Sequence, residues 1–119
     1  MAEKYKCPLK YLSDTFGSKW KLPIICILSD GETPKRYSTI KRRLTDITNA
    51  MLAKSLRELE DSGLVFRKQY NEIPPRVEYS LTEKGKGTLD FLAQAAQWAI
   101  NDMKKEGIKI FCDECMKME

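Results

Sequence analysis

A chain of 119 residues, 42% hydrophobic and 32% charged, supports one packed core and leaves no room for a second. Lys plus Arg number 21 against 17 Asp plus Glu, a net charge of +4, which permits an anionic partner without demanding one. There is no histidine, and this excludes His-based acid–base catalysis, Ser-His-Asp and Cys-His nucleophiles, and every His-containing metal site.

The longest apolar run, Ile24 to Leu28, is too short to cross a bilayer. Met1 to Lys6 has no apolar stretch of the kind a secretory signal needs, so a cytoplasmic location is expected. Reduced thiols follow from that location, and Cys7, Cys26, Cys112 and Cys115 are not read as a disulfide framework.

In chain order, Leu9 to Phe16 predicts a short helix, with Leu9, Leu12 and Phe16 at helical spacing and Gly17 ending it. Ser18 is an expected N-cap for a second helix over 19–29, which buries Trp20, Ile24, Ile27 and Leu28 and tolerates Pro23 in its first turn. Residues 30–34 read as a loop, and Arg36-Tyr37 is too short to assign as a strand. Ser38 is expected to cap a third helix, 39–44, with Ile40 and Leu44 inward. After a tight turn, 45–47, Thr48 is expected to cap a fourth helix over 49–62. Leu52, Leu56 and Leu59 line one face of that helix, Met51 lies at its edge, and Gly63 stops it. Residues 64–70 and 77–81 alternate apolar and polar, and residues 71–75 join them as the tip of a β-hairpin. A last long helix is expected from Thr82 to about Glu106. Its wide apolar band includes Leu89, Leu92, Ala96, Ala99 and Met103, with Phe91, Ala95 and Trp98 beside them. Such a band is either deeply buried or paired with a second chain.

Two helices joined by a turn and followed by a hairpin are the parts of a winged helix-turn-helix, an α+β fold that is mostly helical with a two-stranded wing. The second helix of the pair can enter the major groove only if its outer face lacks apolar bulk and clustered carboxylates. Asn49, Ala50, Ala53, Lys54 and Arg57 lie off the leucine face, while Glu58, Glu60 and Asp61 stand at the far end. Asn49 can pair with adenine, Ala50 can meet a thymine methyl, and Lys54 can reach guanine or phosphate. Arg57 could equally pair with Glu60 or Asp61. Lys35, Arg36, Lys41, Arg42 and Arg43 are five basic residues within nine positions. Helix starts at Ser38 and Thr48 add backbone N–H donors for phosphate, and Arg67, Lys68 and Arg76 on the hairpin could grip flanking DNA. Such binding weakens steeply with salt.

Several segments carry a family resemblance: Gly17-Ser18-Lys19-Trp20-Lys21, Tyr37, Met51-Leu52, Leu56-Arg57-Glu58-Leu59-Glu60, Gly63-Leu64-Val65 and Pro74-Pro75-Arg76-Val77-Glu78-Tyr79-Ser80-Leu81-Thr82. With Cys7-Pro8 before the first helix, and in this order, residues 7 to 100 resemble the HxlR-type family of bacterial transcriptional regulators. The resemblance implies a winged-helix homodimer that binds palindromic double-stranded DNA through the helix after the turn. It implies dimerisation through terminal helices, and in many members a response to oxidants, electrophiles or aldehydes. In several members the cysteine matching Cys7 is the sensing thiol.

The expected division is therefore one domain over 1–119, with a winged core at 9–81, a dimerisation helix at 82–106 and a tail at 107–119. Lys4, Lys6 and Lys10 make the surroundings of Cys7 electropositive. Cys26, in an apolar helix, reads as a buried small hydrophobe. Cys112-Asp113-Glu114-Cys115 supplies half a zinc site at most, with no histidine to complete it, or else a resolving partner for Cys7. Trp20, Tyr79 and Trp98 read as core, or for Trp98 as a dimer interface. No cofactor is expected. The competing reading is a small thiol or zinc-binding protein using Cys112 and Cys115, in which Asn49 and Lys54 are silent.

Overall fold

The computed structural model describes residues 7–31 and 34–110. Six helices and three strands are present among them: α1 (Pro8–Phe16), α2 (Lys21–Ser29), β1 (Lys35–Arg36), α3 (Tyr37–Arg43), α4 (Asn49–Asp61), β2 (Val65–Tyr70), β3 (Arg76–Leu81), α5 (Glu83–Lys86) and α6 (Leu89–Lys105). The winged helix-turn-helix is the architecture observed.

Helix α2 forms the centre of the core. Ile24, Ile25, Cys26, Ile27 and Leu28 are all buried, so the helix is apolar around its whole circumference rather than on one stripe, as expected of a helix enclosed by its neighbours. Leu52, Leu56 and Leu59 of α4 pack against it, with Ile40 of α3, Ile47 of the turn, and Val65, Tyr79 and Leu81 of the sheet. The leucine face predicted for α4 is thus the buried one, while Met51 at its edge is exposed. At the start of α2, Lys21 is also buried, and its ammonium lies 3.4 Å from Glu58 Oε1 of α4. This pair ties the second helix to the end of α4 and compensates a cation that burial would otherwise penalise.

The local signals set most boundaries. Pro8 opens α1, where its missing N–H costs nothing. Ser18 Oγ accepts from the Lys21 N–H at 3.3 Å, three residues ahead of where α2 begins. Thr48 caps α4, its Oγ1 accepting from the Met51 N–H at 3.1 Å. Gly63 follows α4 with φ of +82°, the left-handed conformation in which glycine avoids the Cβ clash.

The structure corrects four expectations. Ser38 does not cap α3. The cap position falls on Arg36, and Ser38 is the helix's second residue, because the chain leaves a strand and enters the helix directly at Tyr37. That strand, β1, pairs antiparallel with β3 (Lys35 opposite Tyr79, Arg36 opposite Glu78) and extends the hairpin to a sheet of order β1-β3-β2. The long last helix is divided in two. Thr82 Oγ1 accepts from the Gly85 N–H at 3.0 Å and its hydroxyl donates to the Gly63 carbonyl at 2.6 Å, capping the short α5 before α6 begins at Leu89. A Cβ on Gly85 would collide with the Leu64 carbonyl, so this corner closes only with glycine. Finally, Ser18 is not the N-cap of α2: the helix starts at Lys21 rather than at residue 19, and the cap position falls on Trp20, whose backbone is already helical.

Candidate nucleic-acid interface

The outward face of α4 is the one the leucines leave. Asn49, Ala50, Lys54 and Arg57 are exposed, and Lys54 and Arg57 have no ion pair among the described residues. Arg57 does not pair with Glu60 or Asp61, and Glu58 turns instead to Lys21. The fold therefore leaves this face polar and cationic in its first half, the surface a major groove accepts.

Helix α3 lies beside the start of α4. Tyr37, Ser38, Lys41, Arg42, Thr45 and Asn49 line one open groove between the two helices. Lys41 and Arg42 have no ion pair among the described residues. The Ser38 and Thr45 hydroxyls and the two cations converge there, a set suited to a backbone phosphate. Arg43 points elsewhere, its guanidinium 3.4 Å from Asp30 Oδ2, and Lys35 Nζ donates to the Asp30 carbonyl at 2.6 Å. Those two members of the basic run thus fasten the loop after α2.

Tyr37 is the residue that reading the sequence for charge misses. Its hydroxyl lies 3.1 Å from the Asn49 carbonyl oxygen and 3.3 Å from Asn49 Oδ1. Burial, followed by the nearby Tyr79, holds its ionisation above the usual 10.0, so it is a neutral O–H donor. No motif announces the contact. Tyr37 is one of the residues that carry the family resemblance, and it is an amphipathic side chain packed against the core at a helix start, but neither feature names its partner.

The wing is organised differently. Tyr70 stands opposite Arg76 in the hairpin, and Lys68 opposite Glu78. The Arg76 guanidinium stacks 3.9 Å from the Tyr70 ring centroid, and the Lys68 ammonium lies 4.8 Å from it. Arg76 also contacts Glu72 at 3.1 Å and Glu78 at 3.6 Å. Its Nε is buried without a hydrogen-bond partner among the described residues. Of the three basic residues on the hairpin, Arg76 is the one held by carboxylates of the wing itself. Arg67 and Lys68 are exposed on β2, Arg67 donating to Gln69 Oε1 at 3.4 Å, and Arg36 is exposed on β1 opposite Glu78.

Cys7 is exposed at the N-cap of α1, and Cys26 is buried in α2. Cys112 and Cys115, like Lys4 and Lys6, lie outside the described residues. Among the described residues no group of His, Cys, Asp or Glu could hold a metal ion. No described helix is long and apolar enough to cross a membrane.

Residues 15–107 match the family described as HxlR-like helix-turn-helix. The chain belongs to that family. It is 46% identical over 96 residues to an HTH-type transcriptional regulator of Methanothermobacter thermautotrophicus, covering 81% of this chain and 72% of the relative. Two redox-linked structures are similar to it. The redox regulator HypR in its reduced form has a TM-score of 0.76 at 38% identity, covering 81% of this chain and 93% of that one. The reduced form of the transcriptional regulator YodB from Bacillus subtilis has a TM-score of 0.69 at 35% identity, covering 80% and 92%. This chain is thus an HxlR-type transcriptional regulator by family, and its resemblance extends to a redox regulator and to a transcriptional regulator solved in its reduced form.

Proposed function

We propose that this HxlR-type regulator binds a pseudo-palindromic operator as a homodimer and alters that binding when Cys7 is oxidised or alkylated. The observation that carries the DNA reading is the face formed by α3 and α4: Asn49, Ala50, Lys54 and Arg57 exposed on one helix, with Lys41 and Arg42 beside its start. Helix α4 lies in the major groove with its N-terminal half against the bases. The groove over Lys41 and Arg42 takes a phosphate, while Arg36, Arg67 and Lys68 on the sheet face the flanking backbone. Thr48 contributes its backbone amide at the helix start, and Arg76 holds the wing in shape.

Dimerisation rests on α1 and α6. Phe16 and Phe91 join the two helices edge to face, with ring centroids 5.7 Å apart. Leu9, Tyr11, Leu12, Phe91 and Trp98 remain exposed, an apolar area that a second copy would cover. Half-sites then lie about one helical turn apart.

Cys7 stands at the start of this face and is open to a soluble oxidant. Oxidation would join it to a second thiol, Cys112 or Cys115, the two thiols giving two protons and two electrons to the oxidant. A small shift at the dimer interface changes the separation of the two α4 helices, and so the relative affinity of two states for DNA.

The test is a binding titration on DNA upstream of its own and neighbouring genes, followed by selection from random duplexes. Each is run at two salt concentrations with reduced and diamide-treated protein. Competitor-resistant binding that changes on oxidation, and is insensitive to it in Cys7→Ser, is the expected result. Binding indifferent to oxidant removes the thiol switch, and failure of both operator and selected duplexes removes the DNA reading.

A further inference from the structure

The start of α4 carries a contact that charge and groove shape do not explain. Tyr37 is the first residue of α3 and Asn49 the first of α4, so the two stand at matching ends of the helix pair. The Tyr37 ring packs against the core and its hydroxyl meets two oxygens of the same residue, the Asn49 carbonyl and Oδ1. One proton thus serves two acceptors, one on the backbone of the first turn and one on the side chain. With Oδ1 turned to the hydroxyl, the Nδ2 amino group is left for whatever lies outside. An asparagine held this way does not lose side-chain freedom on binding, because it has already lost it.

We propose that the Tyr37 hydroxyl is a positioning group for base readout: it holds the Asn49 carboxamide in one orientation and so sets discrimination at the base pair Asn49 meets. The inference rests on the reading of α4 as the major-groove helix and goes beyond it, because Tyr37 itself touches no base. It also sharpens which bases suit Asn49. An amino group presented outward matches acceptor edges, guanine O6 and N7, adenine N7 or thymine O4. Tyr37 follows directly from β1, which is paired to the wing strand β3. The latch therefore refers the reading helix to the sheet as well as to α3.

The experiment uses the full-length chain and a duplex selected from random DNA by the unaltered protein. Affinities are measured for that duplex, for each single base-pair substitution of it, and for unrelated DNA, with unaltered protein, Asn49→Ala, Tyr37→Phe and the double variant. Asn49→Ala is expected to flatten discrimination at one base pair in each half-site. Tyr37→Phe keeps the ring and is expected to lower discrimination at that same base pair about 5-fold, within what one well-placed base contact supplies. Affinity for unrelated DNA and the salt dependence stay unchanged, and the double variant is no flatter than Asn49→Ala alone. Two results overturn the inference while leaving α4 as the reading helix. In one, Asn49→Ala flattens a position and Tyr37→Phe does not. In the other, Tyr37→Phe weakens every duplex equally with discrimination intact, a merely structural effect. A third pattern, in which Asn49→Ala changes no position, removes Asn49 from base readout and overturns both the inference and that part of the interface.

Discussion

The helix-turn-helix and the wing both display basic side chains, and they treat them in opposite ways. On α3 and α4, Lys41, Arg42, Lys54 and Arg57 have no ion pair among the described residues, and their positive charge faces outward. On the hairpin, Arg76 is held by Glu72, Glu78 and the Tyr70 ring, and Lys68 leans on the same ring. The difference follows from what each element has for support. Helix α4 is backed by a leucine face fully buried in the core, so its outer side chains need not hold anything. A two-stranded hairpin projecting from a small sheet has little core behind it, and cross-strand side-chain pairs must supply its rigidity. A basic residue on the wing is therefore not equivalent to one on the helix pair.

The comparison can be broken most directly by charge reversal. Lys41→Glu with Arg42→Glu places two carboxylates in the groove beside α4, and DNA affinity near 0.15 M salt should fall by at least about 100-fold. The loss should be shared by all sequences, as direct titration would show. Arg76→Ala sharpens the comparison. Loss of its ring stacking and ion pairs should cost about 1 kcal/mol of folding stability by urea unfolding. It should leave the slope of log affinity against log salt unchanged, whereas Lys54→Ala lowers that slope by about one. A salt slope that falls equally in Arg76→Ala would make Arg76 a phosphate ligand and erase the distinction between the two regions. Thr48→Ala has the smallest expected effect. Losing the cap on the Met51 N–H should cost about 1 kcal/mol, read as a lower urea midpoint with an unchanged m-value, and should weaken specific DNA binding only slightly.

Most of the helical scaffold is legible in the residues, because its signals are local. The 3.6-residue leucine spacing of α4, the Thr48 cap and the Gly63 stop are each contained within one or two turns. The alternation in residues 64–70 and 77–81 likewise marks the hairpin, and Pro74-Pro75 its tip. The misreadings share one cause. Strand β1 exists because β3 lies beside it, and two residues carry no period of their own. The break between α5 and α6 depends on Thr82 reaching Gly63 and on Gly85 packing against Leu64, contacts across some twenty residues of chain. The burial of five successive residues of α2, Ile24 to Leu28, likewise reflects neighbours around that stretch rather than a stripe in its sequence.

The interface divides along the same line. Residue type, order and spacing alone determined that this chain would build a winged helix-turn-helix with an uncluttered cationic face on its fourth helix. The absence of histidine alone excluded a large set of catalytic and metal chemistries. Tertiary structure decided which cations remain on offer. Lys35 and Arg43 go to Asp30, Lys21 goes to Glu58, Arg76 goes to the wing, and Tyr37, neutral and unremarkable in the chain, reaches Asn49. Periodicity and caps act over a few residues and can be read along the chain. Ion pairs and hydrogen bonds join residues distant in sequence, and only the packed core sets how far apart they stand.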